Sequence, residues 1–315
     1  MLARALDAVL DRTIAPGYSR LGYLLRSASF TGERADPEPG ALRDRVAMVT
    51  GASAGLGTAT VAGLARLGAS VHLVVRDVGR GERAMAAVAA AVPGADLHVA
   101  RCDLSSLGDV RRAATELATV EPDLLVHNAG VLPGRRTVTA EGHELALATH
   151  VLGPHLLTTL LADALAPDGR VVFVSSGGMY AQKLALDDVE SELDPYNGTA
   201  AYARTKRMQV VLAGLWADRL RDAGVSVHAA HPGWADTPGL TSSLPRFRTV
   251  VGPLLRTPEE GVDTVLWLAA APAGVVGTGR FWHDRRPRPE HYVPWTRESA
   301  ADRDRLWELC RRLTG

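Results

Sequence analysis

From Val46 onward the chain alternates short, almost unbroken apolar runs with stretches of helical periodicity, and no other feature constrains its fold as much. Residues 46–50, 71–75, 97–101, 124–127, 170–175 and 225–231 read as strands, with 279–282 as a further one. Between them, 58–67, 82–92, 107–118, 141–165, 200–221 and 259–270 carry the helical pattern. Strands apolar on both faces, each followed by a helix, imply a parallel sheet covered on both sides. Right-handed crossovers then make 41–315 a single doubly wound α/β domain of the Rossmann type. In such a sheet, ligands bind outside the carboxyl ends of the strands.

The first 40 residues are different. Leu2, Leu6, Val9 and Leu10 fall on one helical stripe, with Arg4, Asp7, Asp11 and Arg12 elsewhere. A second apolar cluster, 21–25, follows Pro16-Gly17. This segment reads as an N-terminal helical extension docked on the main domain, and 33–40 as a linker. The alternative is peripheral membrane contact through residues 1–30, which the mixed charges weaken. The segment lacks the apolar core of a signal peptide, and no apolar run approaches the roughly 18 residues of a membrane span.

Composition excludes some partners. Formal net charge is zero, so nothing points to nucleic acid. Cys102 and Cys310 lie far apart and form neither a metal spacing nor a disulfide framework, which fits a cytoplasmic setting.

Thr50-Gly51-Ala52-Ser53-Ala54-Gly55-Leu56-Gly57 follows the first strand and opens a helix. Glycines permit close backbone approach to a pyrophosphate, and the helix N-terminus offers free amides and the positive end of its dipole. Thr50, Gly51, Ser53, Gly55, Leu56 and Gly57 are therefore candidate dinucleotide contacts. The end of the second strand selects the cofactor. A carboxylate there holds the ribose of NAD(H), whereas an arginine receives the 2′-phosphate of NADP(H). Arg76 favours NADP(H). Asp77 competes for that ribose unless it serves as a helix N-cap. Asp103 and Leu104 follow the third strand, at the adenine.

Tyr202 and Lys206 stand one helical turn apart on one face, and Lys206 is one of two lysines in an arginine-rich chain. An ammonium beside a phenol favours the phenolate, making Tyr202 a candidate acid–base whose pKa is expected to fall. Asn128-Ala129-Gly130 follows the fourth strand and Ser175-Ser176 the fifth. With the glycine turn and Tyr202/Lys206, these motifs resemble the short-chain dehydrogenase/reductase superfamily over residues 44 to 285. Ser176-Gly177-Gly178-Met179, Gln182-Lys183-Leu184, 231–239, 264–269, Gly279-Arg280-Phe281 and Asp284-Arg285 are similar to an orphan vertebrate branch of it.

The resemblance implies an oxidoreductase acting on a small-molecule carbonyl or alcohol. It assigns Ser176 to the substrate oxygen, Tyr202 to general acid–base catalysis and Lys206 to the nicotinamide ribose. Asn128, Ala129 and Gly130 would support the adenine side, and Pro232, Gly233 and Thr237 the nicotinamide end. A homo-oligomer is left open. Where the superfamily has an asparagine anchoring a proton-relay water, this chain has His150, which is expected to substitute in the relay and to gain charge at lower pH. Asp187, Asp188, Glu190, Glu192 and Asp194 suggest a solvated acidic loop. Leu240, Leu244, Phe247 and Val250 suggest an apolar lid over a lipophilic substrate. The competing functional class is a catalytically weak NADPH-binding sensor or scaffold.

Overall fold

The computed structural model is described for residues 2–193, 195–237, 249 and 251–315. Asp194, Leu240, Leu244, Phe247 and Val250 lie outside the described residues, as do the side chains of Leu2 and Leu6.

The chain forms strands β1 (Val46–Thr50), β2 (Ser70–Val75), β3 (Leu97–Arg101), β4 (Leu124–His127), β5 (Arg170–Val174), β6 (Ser226–Ala230), β7 (Arg280–His283) and β8 (Arg286–Arg288). They make one sheet of order β3-β2-β1-β4-β5-β6-β7-β8. Every pairing is parallel except β7 with β8. Strand order reverses between β1 and β4, so the crevice at their carboxyl ends is the switch point where a ligand fits.

Alternation along each strand builds two apolar layers. Met48, Leu125, Val171, Phe173 and Val227 face one side, whereas Val49, Val126, Val172, Val174 and Ala230 face the other. The first layer is closed by α6 (Leu107–Leu117), α8 (Gly153–Leu161) and α9 (Gly198–Arg219). The second is closed by α4 (Gly55–Arg66), α5 (Val78–Ala91) and α10 (Pro258–Ala270). A short α11 (Ala273–Val276) leads into β7.

Several boundaries move for local reasons. Helix α5 starts at Val78, because the Asp77 side chain accepts the Arg80 amide at 2.9 Å. The helix expected over 141–165 starts at Leu145, after Glu144 caps it. Its first part, α7 (Leu145–Leu147), runs into a π-turn at Ala148–Leu152 and then α8. The run Leu145–Ala164 is long and apolar enough to cross a membrane, contrary to the reading of the apolar runs, but 78% of its apolar window is buried inside the protein. Strand β8 and the helix α12 (Ala300–Thr314) carry no strand-like or strongly apolar run, so the alternation did not reveal them.

The extension forms α1 (Leu2–Arg12), α2 (Ile14–Tyr18) and α3 (Arg20–Ser27). It is tied to the sheet edge by buried charge: Arg26 reaches Asp7 at 2.8 Å and Asp284 at 2.9 Å, and Arg288 reaches Asp7 at 2.8 Å. The segment read as a linker is docked as well, since Trp267 donates to the Glu33 carbonyl and Arg285 pairs with Asp36. The acidic loop is only partly solvated. Glu190 accepts the Glu144 amide at 2.7 Å and pairs with His143, while Asp188 accepts the Glu192 amide.

Candidate active site

At the β1 turn the chain is packed against itself. Gly51 has φ 65°, and a β-carbon there would meet the Ala129 backbone at 2.7 Å. A β-carbon on Gly57 would stand 2.2 Å from the Gly51 carbonyl and 2.7 Å from Asn128 Nδ2. Gly55 also takes a positive φ. These glycines therefore let β1, α4 and the β4 end converge. Thr50 Oγ1 accepts from the amides of Asn128 (3.0 Å) and Ala129 (3.1 Å), and Asn128 Nδ2 donates to the Thr50 carbonyl at 2.9 Å. Gly130 lies next along, facing His150.

Helices α5, α6, α9, α10 and α12 each have a side chain closing their N-terminus, but α4, preceded by Ala54, has none among the described residues. Its first amides thus remain for an acceptor from outside, beside Ser53 and Leu56. Arg76 is exposed at the end of β2. Asp103 Oδ1 accepts from the Ser105 amide and hydroxyl, and Leu104 is buried beneath it. The turn, the open helix end and this rim fit a dinucleotide.

Ser176 follows β5 and caps a 3-10 turn, Gly177–Ala181, by accepting from the Gly178 amide at 3.2 Å. Its hydroxyl lies close enough to that of Tyr202 on α9 to favour the phenolate. Lys206, 3% exposed, sits one turn on, with Nζ 5.5 Å from the centre of the Tyr202 ring. Nζ donates to the Val174 carbonyl at 2.8 Å and to Gln209 Oε1 at 3.0 Å.

The expected fall in the Tyr202 pKa is not what the geometry produces. Burial pushes the phenol up, and the nearby Ser176 hydroxyl acts in the opposite sense. Burial also brings Lys206 down to about 7, so near neutral pH its charge is too incomplete to hold the phenol low.

His150 is placed differently from its expected relay role. Its Nε2 accepts the Val131 amide at 2.9 Å, so Nδ1 carries the proton and donates to Thr205 Oγ1 at 2.7 Å. Both ring nitrogens are engaged. Burial first, and then Lys206, hold its pKa well below 6.5, so the ring does not gain charge in the mildly acidic range. Its ring packs edge-on to Tyr202, and its backbone carbonyl accepts from Gln209 Nε2 at 2.9 Å.

After β6, Pro232 and Gly233 form the far wall, with Gly233 at φ 76°. Arg256 is fully buried against them. Its Nη1 meets Asp284 at 2.6 Å, and its Nε lies 3.2 Å from the Tyr18 carbonyl. The Trp234 amide donates to the Tyr18 carbonyl at 2.8 Å, and the Tyr18 ring packs edge-on to His231. The extension therefore forms part of the site's wall. Thr237 is the last described residue before 238–248. Arg207, also fully buried, donates to the carbonyls of Met179 and Gln182 and so pins the turn after Ser176.

Reading the sequence alone assigned no role to Gln209, Arg207, Arg256 and Tyr18, nor to Asp284, which it quoted only as part of the resemblance. For Gln209 a signal existed: three residues past Lys206, it shares the lysine's helix face. The cavity lined by Arg45, Asp123 and Arg170 opens at the amino ends of the strands, away from this chemistry.

Comparison with known proteins places this arrangement. Residues 45–246 match the family model described as short chain dehydrogenase. Dehydrogenase/reductase SDR family member 12 of Bos taurus is 39% identical over 302 residues, covering 94% of this chain and 93% of that protein. Retinol dehydrogenase 14 of Mus musculus is 33% identical, covering 88% of each. Polyprenol dehydrogenase of Mus musculus is 35% identical, covering 99% of this chain and 96% of that protein. Among solved structures, an NAD(P) dependent gluconate 5-dehydrogenase from Beutenbergia cavernae, with NADP bound at low occupancy, superposes with a TM-score of 0.64. It is 26% identical and covers 78% of this chain and 97% of that one. Membership carries with it a nicotinamide cofactor and a small-molecule substrate. The chain belongs to the short-chain dehydrogenase/reductase family of oxidoreductases.

Proposed function

We propose that this chain is an NADP(H)-dependent oxidoreductase that interconverts a carbonyl and an alcohol on a small lipophilic substrate, with Tyr202 as the general acid–base. The observation that carries the reading is the convergence of Ser176, at the end of β5, with Tyr202 and the Lys206 buried one turn behind the phenol.

The bound nicotinamide supplies or accepts the hydride. Ser176 and Tyr202 then face the substrate oxygen together, the serine as a stabilising donor and the phenol as the proton source. A phenol is protonated at neutral pH and burial raises its pKa further, so Tyr202 is poised to give a proton to an oxygen gaining negative charge, as carbonyl reduction requires. In its protonated form Lys206 has three N–H donors, of which Val174 and Gln209 take two; the third can turn towards a ribose. The amides of Gly55, Leu56 and Gly57 would hold the pyrophosphate.

Preference for NADP(H) over NAD(H) rests on Asp77. Its side chain is committed to capping α5, so Arg76 is the group left at the ribose end. A lipophilic substrate is supported by the isoprenoid alcohols in the names of two relatives, retinol and polyprenol dehydrogenase. Exposed Val9, Leu21, Leu24 and Leu25 on the extension support peripheral membrane contact, which liposome flotation with and without residues 1–30 tests.

The decisive assay is NADPH oxidation across a panel of hydrophobic aldehydes and ketones, with Tyr202→Phe as control. Turnover by the wild type and none by the variant is expected. Equal inertness of both, with NADPH still bound, would make the chain a nucleotide-binding sensor or scaffold.

A further inference from the structure

Gln209 is fully buried on α9, and among the described residues each end of its carboxamide has one hydrogen-bond partner. Oε1 accepts from Lys206 Nζ at 3.0 Å, and Nε2 donates to the His150 carbonyl at 2.9 Å. The amide has only one workable orientation. Turned over, it would set an NH2 against an ammonium and an oxygen against a carbonyl.

The His150 carbonyl is available for a reason written in the chain. In an α-helix it would accept from the amide four residues on, but that residue is Pro154, which has no N–H. The π-turn Ala148–Leu152 spans the same place. Pro154 thus removes the ordinary donor, and Gln209 supplies one from the neighbouring helix.

We propose that Gln209 is a positioning residue whose carboxamide, anchored on the His150 carbonyl, orients Lys206 and tunes its protonation. The proposal rests on the reading of Tyr202 and Lys206 as the active site. It adds that the lysine is held from behind by a neutral dipole.

The groups facing the ammonium limit what else could set its charge. Tyr202 lies on its own helix, His150 comes from the adjoining π-turn, and β5 presents the Val174 carbonyl. No carboxylate has a recorded contact with Nζ among the described residues. Burial already brings Lys206 to about 7, so a change of partner at 3.0 Å should move its titration within an accessible range. An amide bridge also ends the proton path on that side. It accepts at one end and donates at the other, but it does not hand a proton on as water does.

The composition provides the probe. With two lysines in the chain, and Lys183 exposed, protein labelled with 13C and 15N in lysine gives one reporter for Lys206 and one internal reference. The experiment is an NMR pH titration of the full chain without substrate or cofactor. Gln209→Leu removes the acceptor and should lower the Lys206 midpoint. Gln209→Glu places a carboxylate there and should raise it, each by about one pH unit. The Lys183 midpoint should stay fixed. Should the leucine variant not fold, the near-isosteric glutamate variant carries the test. Lys206 midpoints that coincide in the folded proteins would overturn the proposal. Because the titration involves no turnover, this result is separable from failure of the active-site reading, which Tyr202→Phe tests.

Discussion

Arg256 fills the space that a side chain on Gly233 would need: a β-carbon at Gly233 would lie 2.3 Å from Arg256 Nε and 2.5 Å from Cζ. The backbone there is left-handed, at φ 76°, so the position excludes a side chain twice over. Gly233→Ala should therefore displace the Pro232-Gly233 wall from Arg256. The strained backbone alone costs about 1–2 kcal/mol. Fluorescence titration with NADPH should show weaker binding in a protein whose far-UV spectrum is native; unchanged affinity and melting temperature would contradict this account.

Asp284 carries the other side of that clamp. It meets Arg256 at 2.6 Å and Arg26 of the extension at 2.9 Å, and the surrounding cations hold its carboxyl far below the ordinary range against the cost of burial. Asp284→Asn leaves two buried guanidinium groups undercompensated, a change that typically costs about 3–5 kcal/mol. Urea unfolding should show that loss, together with faster proteolysis of residues 1–30.

At Lys206 an arginine should fail, although nearly every other cation in the chain is an arginine. The ammonium fits between the Val174 carbonyl and Gln209 at 3% exposure, and a planar guanidinium fork needs more room and a different donor geometry. Lys206→Arg should lower turnover by at least about a hundredfold. NADPH oxidation against an accepted carbonyl measures it, and a variant near wild-type rate would return Lys206 to a structural role.

Arg76 should decide between the two nicotinamide cofactors. Removing a charge-assisted contact to a phosphate costs about 1.5–3 kcal/mol, or about ten- to a hundredfold in affinity. Arg76→Glu should weaken NADPH binding by that factor while leaving NADH binding equal or better. Parallel dissociation constants for the two cofactors test this directly.

Acid should destabilise the fold early. Burial holds His127, His228 and His283 down to about 3 and His155 to about 4, and keeps His150 and His231 well below 6.5. Each is neutral when folded and takes a proton when unfolded, so each contributes stability above its unfolded pKa that is lost as pH falls below about 6.5. The slope is about 1.4 kcal/mol per pH unit for each such group. Melting temperatures between pH 7 and 5 should fall steeply. Lys206 acts in the same sense over a higher window. Its folded value near 7 lies below 10.5, so its contribution to stability rises with pH between those values. A flat profile from pH 7 to 5 would mean the histidines are not buried as described.

The sequence by itself determined the parallel part of the sheet, though not its antiparallel edge strand β8. Apolar strands and amphipathic helices in strict alternation leave few other ways to bury so much surface, and strand and helix periods are local properties. It also placed Ser176 and the glycine turn at strand ends and Tyr202 and Lys206 on the helix that follows, where the topology brings them together. What only the tertiary structure decided is what stands behind those residues. Gln209 needs the carbonyl that Pro154 leaves open on another helix, Arg256 needs the backbone of residues 17–19, and Tyr202 and Lys206 owe their pKa directions to burial rather than to each other. Desolvation and long-range hydrogen bonds depend on what packs from elsewhere in the chain, and no spacing between neighbouring residues records that.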